Sequence, residues 1–163
     1  MNKALVQEDT YEVNLSESLL FAVRSFTASS VLVSLQTKIG VLVNLRIFIA
    51  DNESSVRQAI RLLLEHAGFS IVGEASDIEN LLAQVCVSPP HLILLDWELP
   101  GLNAQRLLPT LRKYCSGTKV VALSVQPEAA QLAMAMGVDA FASKGNPPDD
   151  LLAVIHSIAR EDR

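Results

Sequence analysis

From residue 45 onward, apolar positions along the chain follow two rhythms. Unbroken apolar blocks, as in IFIA, LILL and VVAL, do not alternate in and out, which marks strands buried on both faces. Between them Leu, Ile and Val recur at helical spacing, leaving one inward stripe. After the block that ends at Asp51, Ser54 and Ser55 open a helix with Val56, Ile60, Leu63 and Leu64 inward. Arg57, Arg61 and Glu65 fall on its other side, and Gly68 ends it. FSIVGEA is the next strand, and Asp77 starts a helix through Ile78, Leu81, Leu82 and Val85 that Pro89 and Pro90 stop. The stretch HLILLDWELPG (91–101) then carries an apolar run that ends on Asp96, with a turn at Pro100 and Gly101. Asn103 starts a further helix with Leu107, Leu108 and Leu111, in which Pro109 predicts a kink or a late start. The strand KVVALS, a helix over 127–136 closed by Gly137, the strand VDAFAS and a helix over 147–159 complete the series. In that last helix Leu151, Leu152, Ile155 and Ile158 point inward.

Strands and helices thus alternate strictly, with short links. Parallel strands need crossover connections, so the pattern predicts an α/β domain over 44–160, a doubly wound five-stranded parallel sheet with helices on both faces. Residues 1–43 form an N-terminal extension without an assignable pattern, expected to be weakly ordered; a short helix from Ser18 and strands over 30–35 and 40–45 are its candidate elements. Leu19–Leu45 is apolar overall, but Arg24, Lys38 and several Ser and Thr interrupt it. No run reaches the roughly 20 apolar residues of a spanning helix, so no membrane contact is expected. The start is acidic, a poor signal peptide, and the chain is expected in the cytoplasm.

Half of the 163 residues are hydrophobic, enough for a core, and the net charge is −5. With no Lys/Arg cluster, this argues against direct nucleic-acid binding. Cys86 and Cys115 lack metal-site spacing and read as reduced packing residues. His66, His91 and His156 read as helix- or strand-end residues without partners or roles.

In a doubly wound sheet the carboxyl ends of the strands share one rim, where ligands bind. Asp51 and Asn52, Asp96, Ser124 and Lys144 all fall there. Clustered carboxylates repel unless a cation intervenes, and a small oxygen donor set suits Mg²⁺. A carboxylate beside such a metal can accept a phosphoryl group, whose oxygens a hydroxyl and an ammonium can hold. Taken singly, each residue has a plainer reading: Asp51 as a helix-start residue, Asp96 as a turn cap, Ser124 as a strand-end hydroxyl and Lys144 as a solvated charge.

Taken together, IADN (49–52), LILLDWELPG (92–101), VVALS (120–124) and DAFASK (139–144) resemble the receiver domain of two-component response regulators. The resemblance runs from about Leu45 to Ala159. It implies a flavodoxin-like fold with strand order 2-1-3-4-5, and Asp96 as acceptor of a phosphoryl group from a histidine kinase or phosphotransfer protein. It implies Mg²⁺ held by Asp51, Asn52, Asp96 and the backbone carbonyl of Glu98. Ser124 and Lys144 would contact the phosphoryl group, and Ser124 and Phe141 would act as switch residues. These would remodel a surface of the fourth helix, fifth strand and fifth helix for an output protein or a homodimer. On this view the domain is a switch rather than an enzyme, catalysing only its own phosphotransfer.

Two departures stand out. The family usually has a second acid where this chain has Asn52, so Mg²⁺ should bind more weakly; Glu53 is a candidate substitute. Gly145 replaces the proline that commonly follows the lysine. IADNE, the ASD turn and the DLL start of the last helix look most like receivers of helix-turn-helix transcription regulators. The chain ends soon after its last helix, which leads to the expectation of a stand-alone receiver. The alternative is a phosphorylation-independent pseudo-receiver, an interaction module that Asn52 favours. A flavodoxin-like cofactor binder is disfavoured, because no phosphate loop follows the first strand.

Overall fold

A computed structural model describes residues 45–161; the candidate elements of the N-terminal extension lie outside them. Five strands and five helices alternate: β1 (Arg46–Ala50), α1 (Ser54–His66), β2 (Ser70–Ala75), α2 (Ile78–Val85), β3 (Leu92–Asp96), α3 (Ala104–Tyr114), β4 (Lys119–Ser124), α4 (Ala129–Met136), β5 (Ala140–Ser143) and α5 (Pro148–Glu161). The strands form one sheet in the order β2-β1-β3-β4-β5, all neighbours parallel. This is the expected doubly wound, flavodoxin-like arrangement.

Side chains alternate across the pleat, and because both faces are covered, both sets are apolar. Ile47, Ile49, Leu92, Leu94, Val121 and Leu123 face α1 and α5, against Ile60, Leu64, Ile155 and Ile158. Phe48, Ala50, Ile93, Leu95, Val120 and Ala122 face the other layer, against Leu81, Val85, Leu107, Leu108, Leu111 and Ala133 of α2 to α4. The unbroken apolar blocks are therefore two interleaved cores.

Helix ends follow local chemistry, and here some expectations are corrected. The Asp77 side chain accepts from the Asn80 N–H, and that of Asn103 from the Arg106 N–H, capping α2 and α3. At α1 the cap position is Glu53 rather than a serine, without a side-chain cap bond. The α2 helix ends at Val85, before Pro89 and Pro90, because the N–H groups of Val87 and Ser88 both turn back to the Gln84 carbonyl. In α3, Pro109 delays nothing: the helix starts at Ala104 and runs through the proline. The α4 helix starts at Ala129 rather than Pro127, since 126–130 form a turn bonded from Ala129 N–H to Gln126 and from Ala130 N–H to Pro127. Gly137 closes it in the left-handed conformation, at φ 98°.

Three side-chain expectations also change. Cys86 is exposed, so only Cys115 is a packing residue. His91 Nδ1 accepts from the Arg46 N–H at 3.0 Å, which ties the start of β1 to β3. His156 lies within α5, with its ring 5.4 Å from that of Phe69.

Where β1 meets β2 the register skips a residue: Ile47 pairs with Ile71 but Phe48 with Gly73. Val72 bulges outward, and the Phe48 ring lies over the bare Cα of Gly73. A Cβ there would collide with Cε2 of that ring and lie 2.8 Å from Cδ2. Gly73→Ala should therefore destabilise the domain by about 1–3 kcal/mol through overpacking. Urea unfolding measures it, and Phe48→Leu in the same chain should recover part of the loss; simple additivity of the two changes would contradict this account.

Candidate functional site

The ends of β1, β3, β4 and β5 deliver polar residues to the rim. Asp51 follows β1, and its N–H continues the ladder to the Ala75 carbonyl at 3.0 Å. Asp96 is the last residue of β3, and the next N–H, of Trp97, donates to the Leu123 carbonyl at 2.7 Å. Lys144 follows β5 with its N–H on the Ser124 carbonyl at 2.8 Å. Because these backbones are still in sheet register, the side chains leave from rigid positions.

The carboxylates are nearly inaccessible, Asp51 at 0% and Asp96 at 2%. Lys144 reaches both: Nζ lies 2.6 Å from Asp51 Oδ2 and 2.9 Å from Asp96 Oδ1. The Glu53 N–H donates to Asp51 Oδ1 and the Glu98 N–H to Asp96 Oδ1. Asp51 Oδ2, though it touches the ammonium, has no aligned hydrogen-bond donor among the described residues. The cation beside this buried oxygen is the Lys144 ammonium. Burial alone would lower the Lys144 pKa, but the contacts with Asp51 and Asp96 outweigh it and hold the pKa above the ordinary 10.5.

Asn52 and Glu98 are exposed and line, with Asp96 and Lys144, a cavity of about 600 Å³. This cavity runs on between α1 and α5, past Val56, Ile60 and Leu151. Ser124 is buried at the end of β4, and its hydroxyl accepts from the Gln126 N–H at 3.0 Å. Phe141 is half-buried, packed on the core beneath α2 to α4. The structure thus joins Asp51, Asp96 and Lys144 in direct contact and sets Asn52 and Glu98 beside them. Ser124, in the described structure, bonds its own loop rather than Asp96.

Two carboxylates, an amide oxygen and a nearby carbonyl make a hard oxygen donor set that fits a divalent cation such as Mg²⁺. Among the described residues, no group of three or more His, Cys, Asp or Glu converges. Reading residues by helix periodicity missed Arg57, which looked like an outward charge. Its guanidinium instead bonds the carbonyls of Asp51 and Asn52. Its place on the helix turn right after the acidic loop was the available signal.

A folded-state pKa above the ordinary value means that the fold holds the Lys144 proton more tightly than the unfolded chain does. That stabilisation is complete below pH 10.5 and disappears as pH rises through the folded value. In denaturant unfolding between pH 8 and 12, the stability gap between wild type and Lys144→Gln should be constant on the neutral side and shrink above pH 10.5. A gap unchanged at the alkaline end would contradict the ion-pair account.

Comparison with known proteins follows the same outline. Residues 47–156 match the model of the response regulator receiver domain. The nitrate/nitrite response regulator protein NarL of Escherichia coli K12 is 32% identical over 116 residues, covering 69% of this chain and 54% of NarL. The phosphate regulon transcriptional regulatory protein PhoB of the same organism is 30% identical over 119 residues, 71% of this chain and 52% of PhoB. The chain spans about half the length of the curated relatives it matches. Among solved structures, a two-component response regulator from Clostridium difficile superposes with a TM-score of 0.64 at 22% identity, covering 72% of this chain and 98% of that one. A DNA-binding response regulator of the LuxR family from Staphylococcus aureus gives 0.62 at 24% identity, covering 70% and 98%. These two share the fold. The match over 47–156, on a sheet of the expected order, makes this chain a member of the response regulator receiver family.

Proposed function

We propose that the domain is a phosphorylation switch in which Asp96 accepts a phosphoryl group from a histidine kinase or phosphotransfer protein. The observation that carries this reading is the buried Asp96 carboxylate at the end of β3, 2.9 Å from Lys144 Nζ and beside the carboxylate of Asp51. Asp96 Oδ1 is engaged by Lys144 and by the Glu98 N–H, while among the described residues no donor is bonded to Oδ2. Oδ2 is therefore the attacking atom. Its new P–O bond forms as the P–N bond of the phosphohistidine breaks, and the leaving imidazole takes up a proton.

Asp51, Asn52, Asp96 and the Glu98 carbonyl would hold Mg²⁺, which when bound neutralises charge on the phosphoryl oxygens. Lys144 keeps its proton throughout the physiological range and offers a fixed positive charge to the transferred group. For Ser124 to contact a phosphoryl group, its hydroxyl, which accepts from the Gln126 N–H, must turn its own proton toward Asp96. That rearrangement, with Phe141 moving on the half-open core edge of β5, is the switch. It would remodel the face of α4, β5 and α5, where Leu132 and Met134 already lie exposed, for an output protein or a second copy. We assign the domain to the cytoplasm, acting on proteins rather than on nucleic acid; no helix among the described residues is long and apolar enough to cross a membrane. It is a switch whose chemistry ends with its own phosphorylation and dephosphorylation, not an enzyme acting on a separate substrate.

The test is intact mass after incubation with acetyl phosphate, with and without Mg²⁺, on wild type and Asp96→Ala. A gain of one phosphoryl group that requires both Mg²⁺ and Asp96 is expected. A folded wild type whose mass does not change at high Mg²⁺ would sink the proposal. It would favour a phosphorylation-independent interaction module, in which Lys144 permanently neutralises the acidic pair.

A further inference from the structure

The peptide unit between Asn52 and Glu53 is held at both ends. Its N–H donates to Asp51 Oδ1 at 2.9 Å, and its carbonyl accepts from Arg57 Nη1 at 3.3 Å. The same nitrogen donates to the Asp51 carbonyl at 2.7 Å, so one guanidinium fixes two successive peptide planes. In a trans peptide, N–H and C=O point in opposite directions. Turning the carbonyl toward Arg57 therefore turns the N–H toward the Asp51 carboxylate.

Arg57 is itself immobilised. Its Nε donates to Glu74 Oε2 at 3.2 Å, and its side chain is only 18% exposed. The other oxygen of Glu74 accepts from Arg61 Nε at 2.7 Å, and Arg61 also pairs with Glu65 at 3.0 Å. A brace of α1 and β2 side chains thus ends on the backbone that carries Asp51 and Asn52.

We propose that Arg57 is the positioning residue of the cation site, setting the orientation of the Asp51 carboxylate and the Asn52 amide through their own backbone. This rests on the reading of that site as one for Mg²⁺. With Asn52 neutral, its own share of the attraction to the metal depends on how a dipole is aimed rather than on a charge, so the aim matters more here than beside a second acid. A lysine cannot replace Arg57, because a point ammonium cannot hold two carbonyls and a carboxylate in the fork geometry of a guanidinium. Arg61 provides the internal control, since it shares Glu74 but touches neither carbonyl.

The experiment is a Mg²⁺ titration followed by the fluorescence of the single tryptophan, Trp97, next to Asp96. It is paired with phosphoryl uptake from acetyl phosphate as a function of Mg²⁺. Wild type, Arg57→Ala, Arg57→Lys and Arg61→Ala are compared at matched folded fractions set by urea unfolding. Both Arg57 variants should raise the half-saturating Mg²⁺ about tenfold while reaching wild-type phosphorylation at saturating Mg²⁺. Arg61→Ala should bind Mg²⁺ as wild type does. Should Arg57→Ala fail to fold, Arg57→Lys decides the question. Unchanged half-saturation in the Arg57 variants, or an equal rise in Arg61→Ala, would overturn the positioning role and leave the phosphoacceptor reading intact. A wild type with neither Mg²⁺ response nor phosphoryl uptake would overturn both.

Discussion

One ammonium held between two buried carboxylates is the interaction on which the site depends. Taking Asp51 and Asp96 out of water is costly, and two buried carboxylates this close repel unless a counter-charge lies between them. Lys144 supplies that charge from β5, although β4 lies between β5 and β3 in the sheet. Only a long flexible stem can cross the end of β4 and still touch both acids. The loop after β5 is set accordingly, with the Lys144 N–H on Ser124 and the Gly145 N–H on the Ser143 hydroxyl.

The two cores make this geometry possible. β1, β3 and β4 have both faces packed, so their ends move little, while β5 at the sheet edge is only half-covered and the loops beyond the strands carry the polar groups. The β1–α1 loop is the one most elaborately tied, through Asp51 Oδ1 above and Arg57 below. The β4–α4 loop is the opposite case. Its residues 125–128 are exposed, and Ser124 Oγ bonds a neighbour two residues on. Of the two loops, the one beside the acids is held by more side-chain bonds.

Much of this was legible in the sequence. Buried parallel strands announce themselves as unbroken apolar blocks, and in a doubly wound sheet their carboxyl ends must share one rim. That logic alone brought Asp51, Asp96 and Lys144 together. Local competition escaped it. Where α2 ends was decided by carbonyl sharing at Gln84, not by the prolines that follow. His91 and Arg57 bond backbone groups of other segments, which no periodicity reveals. At the bulge at Val72 the Phe48 ring lies over Gly73, a pairing across strands that a single-chain pattern does not encode.

Asn52 changes the electrostatics of the site more than its chemistry. Asp51, Asp96 and Lys144 together carry a net charge of −1, and a further acid at residue 52 would make it −2 beside the same single ammonium. The amide removes that repulsion, so the metal-free fold is relieved of strain that a cation would otherwise have to quench. At the proposed cation site the same change would remove one charge from the attraction for Mg²⁺. Stability without metal and affinity for it are thus set against each other at one position. On the proposed Mg²⁺ reading, the backbone that Arg57 holds at Asn52 is what would stand in place of that charge.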